Sequence, residues 1–523
     1  MKRRTFLDFM LKGTAVSLIP LNLVSCTNEG ASTINYEGLS PQTDDLFKVM
    51  DGLKFNLLIK QGDKISGSDH FGFHNDFTAM IAKPNDSGYI LWVNHEYFNP
   101  LFLHGKDLGD AKTIKDVEKE LYEVGGSLVE VNRNEDGSWS VVQDSIYNRR
   151  IHAGTTIPFS NQTEVLGRKE AMGTLANCAG GKTPWGTILT CEENYDSFYG
   201  ERNLEDGSLI ASDYYGWEKF YDNPPEHYGW VVEIDPLTGS AKKHTSMGRC
   251  AHECATVKQL EDKRCIVYTG DDSNDEHLYK LISKNPEDLS EGTLYVANLE
   301  LGKWISLDIN DHQILKENFK DQLDIQIHVR KAAKLVGATP LARPEDIEID
   351  PLSGHVYVAL TNNKPKGNYL GSIMKIMESN NDHESLTFEY ETFLAGGVET
   401  GFACPDNLVF DANGNLWFTT DISGSSISQG PYEGLGNNAL FVVLRSGERA
   451  GEIIRVATAP KDAELTGVSF ALDSNDLFVC VQHPGESSAD LDNLTSSWPG
   501  EPGERPRSGI VVLNGPFMDQ LLA

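Results

Sequence analysis

The feature that most constrains the fold of this chain is a strand–turn–strand unit that recurs along most of its length. In each unit a short β-branched or aromatic run leads into a turn of Asp, Pro, Asn, Ser and Gly, and a second such run follows. Turn residues between two hydrophobic runs are typical of β-hairpins. The clearest copies span residues 127–142, 347–360, 408–418 and 468–481.

Repeated hairpins favour a β-propeller, in which sheets of short strands are arranged around a central channel. A pair of β-sandwiches is the alternative, but hairpins sustained over most of the chain favour a ring. The helical stretches 111–122 and 326–336 are expected as excursions between strands. We therefore predict an all-β fold, a β-propeller with inserted loops and short helices. The hairpins do not fix the number of blades.

The N-terminus has the pattern of an export signal. Residues 3–7, R-R-T-F-L, are similar to a twin-arginine signal, and the apolar stretch 14–23 is too short and too broken to span a bilayer. Residues 23–26, L-V-S-C, resemble a lipobox, in which an acylated Cys26 would become the mature N-terminus. A plain cleaved signal with a chance cysteine is the alternative.

This pattern divides the chain into three parts. We expect export by the twin-arginine route and a periplasmic or cell-surface lipoprotein that contacts the membrane by its lipid anchor only. The expected parts are a signal peptide with a lipobox at 1–26, a tether at 27–45 and a single propeller domain at 46–523.

The charge balance limits the partners of the chain. Asp and Glu number 77 against 45 Lys and Arg, which gives a formal net charge of -32. We expect no nucleic-acid partner, because a phosphate backbone needs Lys and Arg to replace its counterions. Most of the acidic excess is expected as a solvated coat, and some of it can hold hard cations such as calcium.

The cysteines argue against a disulfide framework. Seven remain after Cys26, and an odd number leaves at least one free thiol. The sequence has no C-x-x-C pattern, so a structural zinc site is not expected. Cys265 and Cys480 lie in apolar runs and are expected in the core.

One stretch, 173–195, combines a thiol with carboxylates. Cys178 is expected in a glycine-rich turn, and Glu192 and Glu193 follow the strand-like run 185–189. A soft thiolate and a hard carboxylate can share a redox-type metal such as iron. Alternatively, Cys178 is a small buried hydrophobe and the glutamates end a strand in water.

Other polar stretches recur beside successive strands. Each stretch alone is weak evidence of a functional site. If the loops converge at one end of the channel, however, together they line its mouth with carboxylates, one thiolate and Arg343. Such a cluster needs cations, because like charges at close range raise each other's pKa. The planar donor fork of Arg343 suits a phosphate or carboxylate group. The stretches are 94–96, 248–253, 268–272, 343–346, 404–407, 420–421 and 482–486.

Taken in order, these residues resemble the PhoX-type alkaline phosphatases over nearly the whole chain. The resemblance implies a six-bladed propeller that acts on phosphomonoesters. It also implies a site of two ferric ions and three calcium ions joined by a bridging oxo group. The matching motifs are R-R-T-F-L at 3–7, N-H-E-Y at 94–97, N-C-A-G-G-K-T-P-W-G-T-I-L-T-C-E-E-N at 177–194, G-R-C-A-H-E at 248–253, G-A-T-P-L-A-R-P-E-D at 337–346, P-D-N-L at 405–408, G-N-L-W-F-T-T-D at 414–421 and V-Q-H-P-G-E at 481–486.

The resemblance also implies residue roles. Arg343 would hold the phosphate, and an oxo or hydroxo group on the metals would be the nucleophile, so that no Ser or Thr nucleophile is required. Cys178 would bind iron. The extra cysteines 250 and 254 raise the chance of an altered metal content. The expected metal ligands are Cys178, Glu193, Glu253, Glu345 and Asp406, with Asp421 in reserve.

These features predict a monomeric phosphoric monoester hydrolase with phosphomonoester substrates. Two other classes remain open at this level. A calcium-dependent lactonase-like hydrolase would contain no iron and would leave Cys178 unused. A non-enzymatic cell-surface binding propeller would tolerate the loss of Cys178 and Arg343.

Overall fold

The computed structural model describes residues 36–84, 88–204 and 206–522, and its strands form a six-bladed β-propeller. The predicted all-β propeller is confirmed, as is the blade number that the resemblance implied. The signal peptide, Cys26 and residues 27–35 of the predicted tether lie outside the described residues. Residues 36–45 hydrogen-bond to the propeller, for example through Leu39 N to Arg455 O at 2.8 Å.

Each blade is an antiparallel sheet of four or five strands, and most of its strands follow one another in the chain. Before the first blade come β1 (Lys48–Val49), β2 (Lys54–Lys60), β3 (Lys64–Ser66) and β4 (Asp69–His70). Blade 1 contains β5 (Asn75–Ala82), β6 (Tyr89–His95), β7 (Gly125–Arg133), β8 (Trp139–Val141) and β9 (Arg149–Ile151). After the hairpin β10 (Thr156–Pro158) and β11 (Glu170–Met172), blade 2 begins with β12 (Asn177–Lys182) and β13 (Ile188–Glu192). A second hairpin, β14 (Glu201–Arg202) and β15 (Leu209–Ile210), precedes its last strands, β16 (Val231–Ile234) and β17 (Ala241–His244).

The remaining four blades complete the ring. Blade 3 contains β18 (Thr256–Gln259), β19 (Cys265–Gly270), β20 (Leu278–Ser283), β21 (Gly292–Asn298) and β22 (Lys303–Ser306). Blade 4 contains β23 (Pro344–Ile349), β24 (Val356–Leu360), β25 (Ser372–Glu378) and β26 (Phe388–Ala395). Blade 5 contains β27 (Pro405–Phe410), β28 (Leu416–Thr420), β29 (Ala439–Val443) and β30 (Ile453–Thr458). Blade 6 contains β31 (Glu464–Phe470), β32 (Leu477–Gln482) and β33 (Gly509–Asn514).

The two ends of the chain close the ring together. Strand β1 pairs with β30 in blade 5, and β2 pairs with β33 in blade 6. The first strand of each blade is the innermost one, and it contacts the first strand of the next blade around the channel. The core lies between blades: Trp417 packs with Val479 and Val511 between blades 5 and 6, and Leu91 packs with Phe478 between blades 6 and 1. Burial of these apolar faces holds neighbouring blades together.

The helices are short excursions between strands, as predicted. The two predicted stretches correspond to α2 (Ile114–Glu123) and α6 (Val329–Leu335), and α2 begins with a capping box between Thr113 and Asp116. Among the described residues, no helix is both long enough and apolar enough to cross a membrane. The helices are α1 (Pro100–His104), α2 (Ile114–Glu123), α3 (Asp196–Tyr199), α4 (Gln313–Asn318), α5 (Gln322–Ile327), α6 (Val329–Leu335) and α7 (Pro516–Leu521).

The predicted glycine-rich turn around Cys178 is wrong. Cys178 lies in the innermost strand β12, and the turn follows at 183–186. Gly180 and Gly181 serve close packing here, because a Cβ at either position would overlap a backbone carbonyl oxygen, of Leu189 or of Ala255 respectively. Gly180 therefore allows β12 and β13 to pair closely within blade 2, and Gly181 allows blade 2 to approach blade 3 beside the channel.

Candidate active site

The innermost strands all present a polar residue at the same end of the channel. It stands at the first or second position of β5, β12, β23, β27 and β31, and in blade 3 it lies three residues before β18. In blades 1, 2, 4 and 5 a β-bulge interrupts the pairing with the second strand just at this point, and in blade 6 the bulge follows at residues 466–469. Bulges often re-aim side chains near active sites. The six residues are Asp76, Cys178, Glu253, Glu345, Asp406 and Glu464.

Backbone strain accompanies five of these residues. Two positions before each of them stands a non-glycine residue with a positive φ, a conformation that costs energy and tends to occur at functional sites. The surrounding sheet holds these residues in place and turns the following side chain towards the channel. The strained residues are His74 (φ 34°), Ala176 (φ 51°), Arg343 (φ 52°), Cys404 (φ 51°) and Asp462 (φ 63°).

A second set of polar residues follows the second strand of five blades. Together the two sets line one cavity of about 410 Å³ at the end of the channel. The second set is Glu96 after β6, Glu193 after β13, Asp272 after β19, Asp421 after β28 and His483 after β32.

The side chains of the cavity come close enough to share cations. Cys178 Sγ lies 3.3 Å from Asp76 Oδ2 and 3.2 Å from Glu253 Oε1. Three groups have donor atoms that all lie within 4.8 Å of one another, and they are linked because Cys178 and Glu253 each belong to two of them. The groups are Asp76–Glu96–Cys178, Cys178–Glu193–Glu253 and Glu253–Glu345–Asp406.

The concentration of buried carboxyls opposes their own ionisation. Burial raises the pKa of Asp76 to about 6 and that of Glu96 to about 8. Burial and neighbouring carboxylates raise the pKa of Glu193 and Glu253 well above the usual range. The same causes raise the pKa of the Cys178 thiol. Positive charge is therefore needed before this cluster can exist as carboxylates and a thiolate.

Arg343 supplies part of that positive charge. Its Nε and Nη2 donate to the two carboxylate oxygens of Asp272 at 2.8 and 2.7 Å. Nη2 also lies 2.8 Å from Glu345 Oε1, and Nη1 lies 3.5 Å from Asp421 Oδ2. Burial alone would raise the pKa of Asp272, but the charge and hydrogen bonds of Arg343 hold it below its usual value. The Arg343 side chain is 25% exposed and lines the cavity, where it can reach a ligand.

His483 is a second cationic group at the cavity. Its Nε2 lies 2.8 Å from Glu464 Oε1, and its Nδ1 lies 3.0 Å from Asp462 O. Burial lowers the pKa of His483, but Glu486 and Glu464 outweigh it and raise the pKa to about 10. His483 is thus a fixed partner for Glu464.

The structure brings together the residues that the sequence singled out. All seven predicted residues of the propeller line the cavity, whereas Cys26 lies outside the described residues. Glu192, by contrast, points away: it accepts from Lys243 Nζ at 2.6 Å and from the backbone of Gly229 and Trp230. Neighbouring residues of extended backbone face opposite sides, which separates Glu192 from Glu193. The seven are Cys178, Glu193, Glu253, Arg343, Glu345, Asp406 and Asp421.

Five further charged residues of the cavity are not among the site residues predicted from the sequence. Glu96, Asp272 and His483 stand within the polar stretches that it noted, but Asp76 and Glu464 do not. Each of these two residues is an acid just before an apolar strand pattern, which is the arrangement of Glu345 and Asp406 as well. That shared position is the pattern that would have found them.

The two extra cysteines lie in the hydrophobic core. Cys250 packs among the apolar residues between blades 2 and 3, and Cys254 packs with Ile266 and Val358 between blades 3 and 4. All seven described cysteines are free and buried. Within the described residues, neither Cys250 nor Cys254 belongs to the three groups of donor atoms.

The fold and the cavity define a β-propeller enzyme with an acidic, thiol-containing site on its axis. The family model described as alkaline phosphatase PhoX matches residues 34–485. The chain therefore belongs to the PhoX alkaline phosphatase family, and it is a phosphomonoester hydrolase.

A solved structure extends this similarity over almost the whole fold. The chain is 30% identical to Pseudomonas fluorescens PhoX, solved in complex with vanadate, a transition state analogue. The superposition has a TM-score of 0.83 and covers 93% of this chain and 98% of that chain. None of the curated protein sequences compared with the chain matches it.

Two other solved structures are much less similar. A gluconolactonase from Xanthomonas campestris, XC5397, is 10% identical, with a TM-score of 0.35 and coverage of 94% of this chain and 100% of that chain. A protein of unknown function from Dyadobacter fermentans is 10% identical, with a TM-score of 0.38 and coverage of 89% and 100%. At these scores neither protein supports a functional inference.

Proposed function

We propose that this chain is an exported alkaline phosphatase whose cavity holds a mixed cluster of iron and calcium ions. The observation that carries the proposal is the linked set of three donor groups, with one thiol among carboxylates. A soft thiolate next to hard carboxylates suits iron at one end of the set, and carboxylates alone suit calcium at the other.

The donor set fits such a cluster. Asp76 Oδ1 and Glu253 Oε2 are buried oxygens without a hydrogen-bond partner in the described part of the chain. An unpaired buried carboxylate oxygen is costly, and a cation is the partner that removes the cost. We propose Cys178, Glu193 and Glu253 as iron ligands, and Glu253, Glu345 and Asp406 as calcium ligands, with Asp421 in reserve. Asp76 and Glu96 extend the iron end.

The side chains of this chain divide the work of phosphate-ester cleavage. Arg343 binds the phosphate oxygens with its planar fork, and Asp272 holds that fork in position through two hydrogen bonds. His483 holds Glu464 at the rim of the cluster. When bound, the metal ions supply Lewis acidity and an activated oxygen nucleophile, so that no Ser or Thr nucleophile is needed.

The same proposal covers location and partners. The twin-arginine and lipobox patterns support a periplasmic or cell-surface lipoprotein, joined to the membrane through Cys26. We propose a monomer that acts on phosphomonoesters and binds no nucleic acid. The vanadate complex of the Pseudomonas relative supports a phosphate-binding role for the equivalent cavity here. A lactonase-like enzyme or a binding propeller would leave the thiol and Arg343 without a role.

A pair of substitutions in one strand tests the proposal. Glu345→Gln should lower phosphate release by about a hundredfold or more, because a buried metal-ligand oxygen is replaced by an amide. Glu348→Gln is the matched control: Glu348 lies three residues further along β23 and lines a separate pocket. We expect it to keep the parent activity. Equal activity of both variants would contradict the assignment of the cavity.

A further inference from the structure

One wall of the cavity is aromatic, and the proposed phosphate chemistry does not use it. Four aromatic side chains line this wall: Tyr97, Phe198, Tyr214 and Tyr215. Phe198 is 1% exposed and Tyr215 is 4% exposed, and Tyr97 donates its hydroxyl to Glu486 Oε1 at 2.9 Å. Tyr214 differs from them because it is 64% exposed. Its ring is therefore accessible to a ligand in the cavity.

The ring of Tyr214 stands on a rigid base. It meets Tyr215 edge to face, with ring centroids 4.6 Å apart. Tyr215 in turn stacks on Phe198 at 4.4 Å and donates its hydroxyl to Phe98 O at 2.8 Å. Because the supporting rings are buried and bonded, little conformational freedom is lost when a ligand packs on this wall.

The cavity has room for more than a phosphate group. Its volume of about 410 Å³ lies within the range of pockets that enclose whole small molecules, ~300–1,000 Å³. The phosphate end is fixed by Arg343 and the carboxylate cluster on the channel axis. The aromatic wall comes from the loop after β6, from α3 and from the loop after β15. A leaving group is thus enclosed between the cluster and the wall.

The charges around the cavity favour an uncharged leaving group. Among the described lining residues, the cationic side chains are Arg343 and His483, and both are already bonded to carboxylates. Asp421 and Glu486 place two more carboxylates at partly exposed positions. Extra negative charge on the leaving group would be repelled there, whereas a neutral ring would not.

We propose that Tyr214 is a specificity-determining residue that packs against an uncharged planar ring carried by the leaving alcohol. Nucleoside monophosphates and aryl phosphates are then preferred over monoesters of comparable aliphatic alcohols. This inference rests on the proposed phosphatase function and adds a substrate class to it.

A matched pair of substrates isolates the ring. Adenosine 5′-monophosphate and ribose 5-phosphate are both esters of a primary ribose hydroxyl, and they differ in the base. The parent enzyme should show the higher kcat/KM on the nucleotide. Tyr214→Ala should reduce that preference by about tenfold, the order expected for one base–aromatic stack, mainly through KM. Its kcat/KM on ribose 5-phosphate and its inhibition by inorganic phosphate should stay unchanged.

Two control variants separate stacking from other effects. Tyr214→Phe keeps the ring and should keep the preference. Tyr390→Ala removes a tyrosine that is 44% exposed on the outer strand β26, away from the cavity, and should also keep it. Because Tyr214 is exposed, its substitution should leave the melting temperature unchanged.

The outcomes distinguish the two levels of the proposal. If Tyr214→Ala lowers kcat/KM equally for both substrates, or changes neither, the inference about Tyr214 is overturned while the phosphatase function stands. If the metal-loaded parent protein hydrolyses neither substrate nor any other phosphomonoester, the proposed function itself fails, and the inference fails with it.

Discussion

Arg343, which we propose as the phosphate-binding residue, has an unusual position. It has a left-handed backbone conformation just before β23, and three carboxylates contact its guanidinium. Nε and Nη2 bond to Asp272, whereas Nη1 has, among the described residues, only a long contact to Asp421 at 3.5 Å. A planar fork held this way offers its free edge to a phosphate oxygen.

Removal of Arg343 should separate substrate binding from metal binding. Arg343→Ala should lower kcat/KM for a phosphomonoester by about 10- to 100-fold, because charge-assisted hydrogen bonds to the phosphate are lost. Arg343→Lys should recover only part of the loss, since an ammonium cannot form the fork. Steady-state kinetics with elemental analysis of each variant checks this. An unchanged kcat/KM would show that Arg343 does not touch the phosphate.

Substitution of Cys178 distinguishes a mixed cluster of iron and calcium from a site that holds calcium alone. Cys178→Ala should lower the iron bound per chain, because the only sulfur among the three donor groups is lost. Cys265→Ala is a suitable control, since Cys265 is a free, buried thiol in the core between blades. We expect that control to retain its iron. Equal iron in the parent protein and in Cys178→Ala would make Cys178 an ordinary buried thiol.

At the scale of single elements, the innermost strands have a common construction. Five of them begin with a polar residue beside the channel and have a bulge at or shortly after it, after which the regular pairing with the second strand continues. Close approach of these strands leaves little space for side chains at some positions. Gly181 of β12 is one of them, because a Cβ there would overlap Ala255 O of the neighbouring blade.

Gly181→Ala should destabilise the propeller. Two backbone segments would have to move apart, so we expect a loss of about 3 kcal/mol in the free energy of unfolding, measured in denaturant. Gly397→Ala is the matched control, because a Cβ at Gly397 meets no atom closer than 3.9 Å. Gly397→Ala should change the free energy of unfolding by no more than about 0.5 kcal/mol. A similar loss in both variants would show that the contact between blades 2 and 3 is not tight.

The bulges also explain what the sequence could and could not predict. The hairpins follow regular alternation, so the second runs of the units 347–360, 408–418 and 468–481 predict strands close to the observed β24, β28 and β32. Alternation starts only after a bulge, so the first residues of β23 and β27 were expected to precede their strands rather than to belong to them. The motifs nevertheless located Glu345 and Asp406. Asp76 and Glu464 were missed because neither belongs to a recognisable motif.

At the scale of the whole molecule, buried neutral histidines link stability to pH. Burial lowers the pKa of His152, His227 and His383 to about 4, below the value of 6.5 for an exposed imidazole. As the pH falls from 6.5 towards 4, the unfolded chain therefore binds protons that the folded chain does not. Stability contributed by these residues is present above pH 6.5 and is lost as the pH falls through 4.

His383→Gln should make the melting temperature less dependent on pH below neutrality. His383 Nδ1 lies 2.9 Å from Tyr268 OH, so the variant should lose some stability at every pH. Between about pH 7 and about pH 4.5, the melting temperature of the variant should decrease less than that of the parent protein, because one group that binds a proton on unfolding has been removed. Melting curves across this range measure the difference. A parallel decrease in both proteins would contradict the assignment of a neutral, buried His383.

The measurement that tests the central claim most directly is elemental analysis of the folded protein, combined with a phosphomonoesterase assay before and after calcium chelation. The linked donor groups predict iron and calcium together and loss of activity on chelation, with recovery when calcium is restored. Calcium without iron, and no release of phosphate from any monoester, would contradict the account. Cys178 would then be a buried thiol, and the carboxylates would form a calcium site of another function.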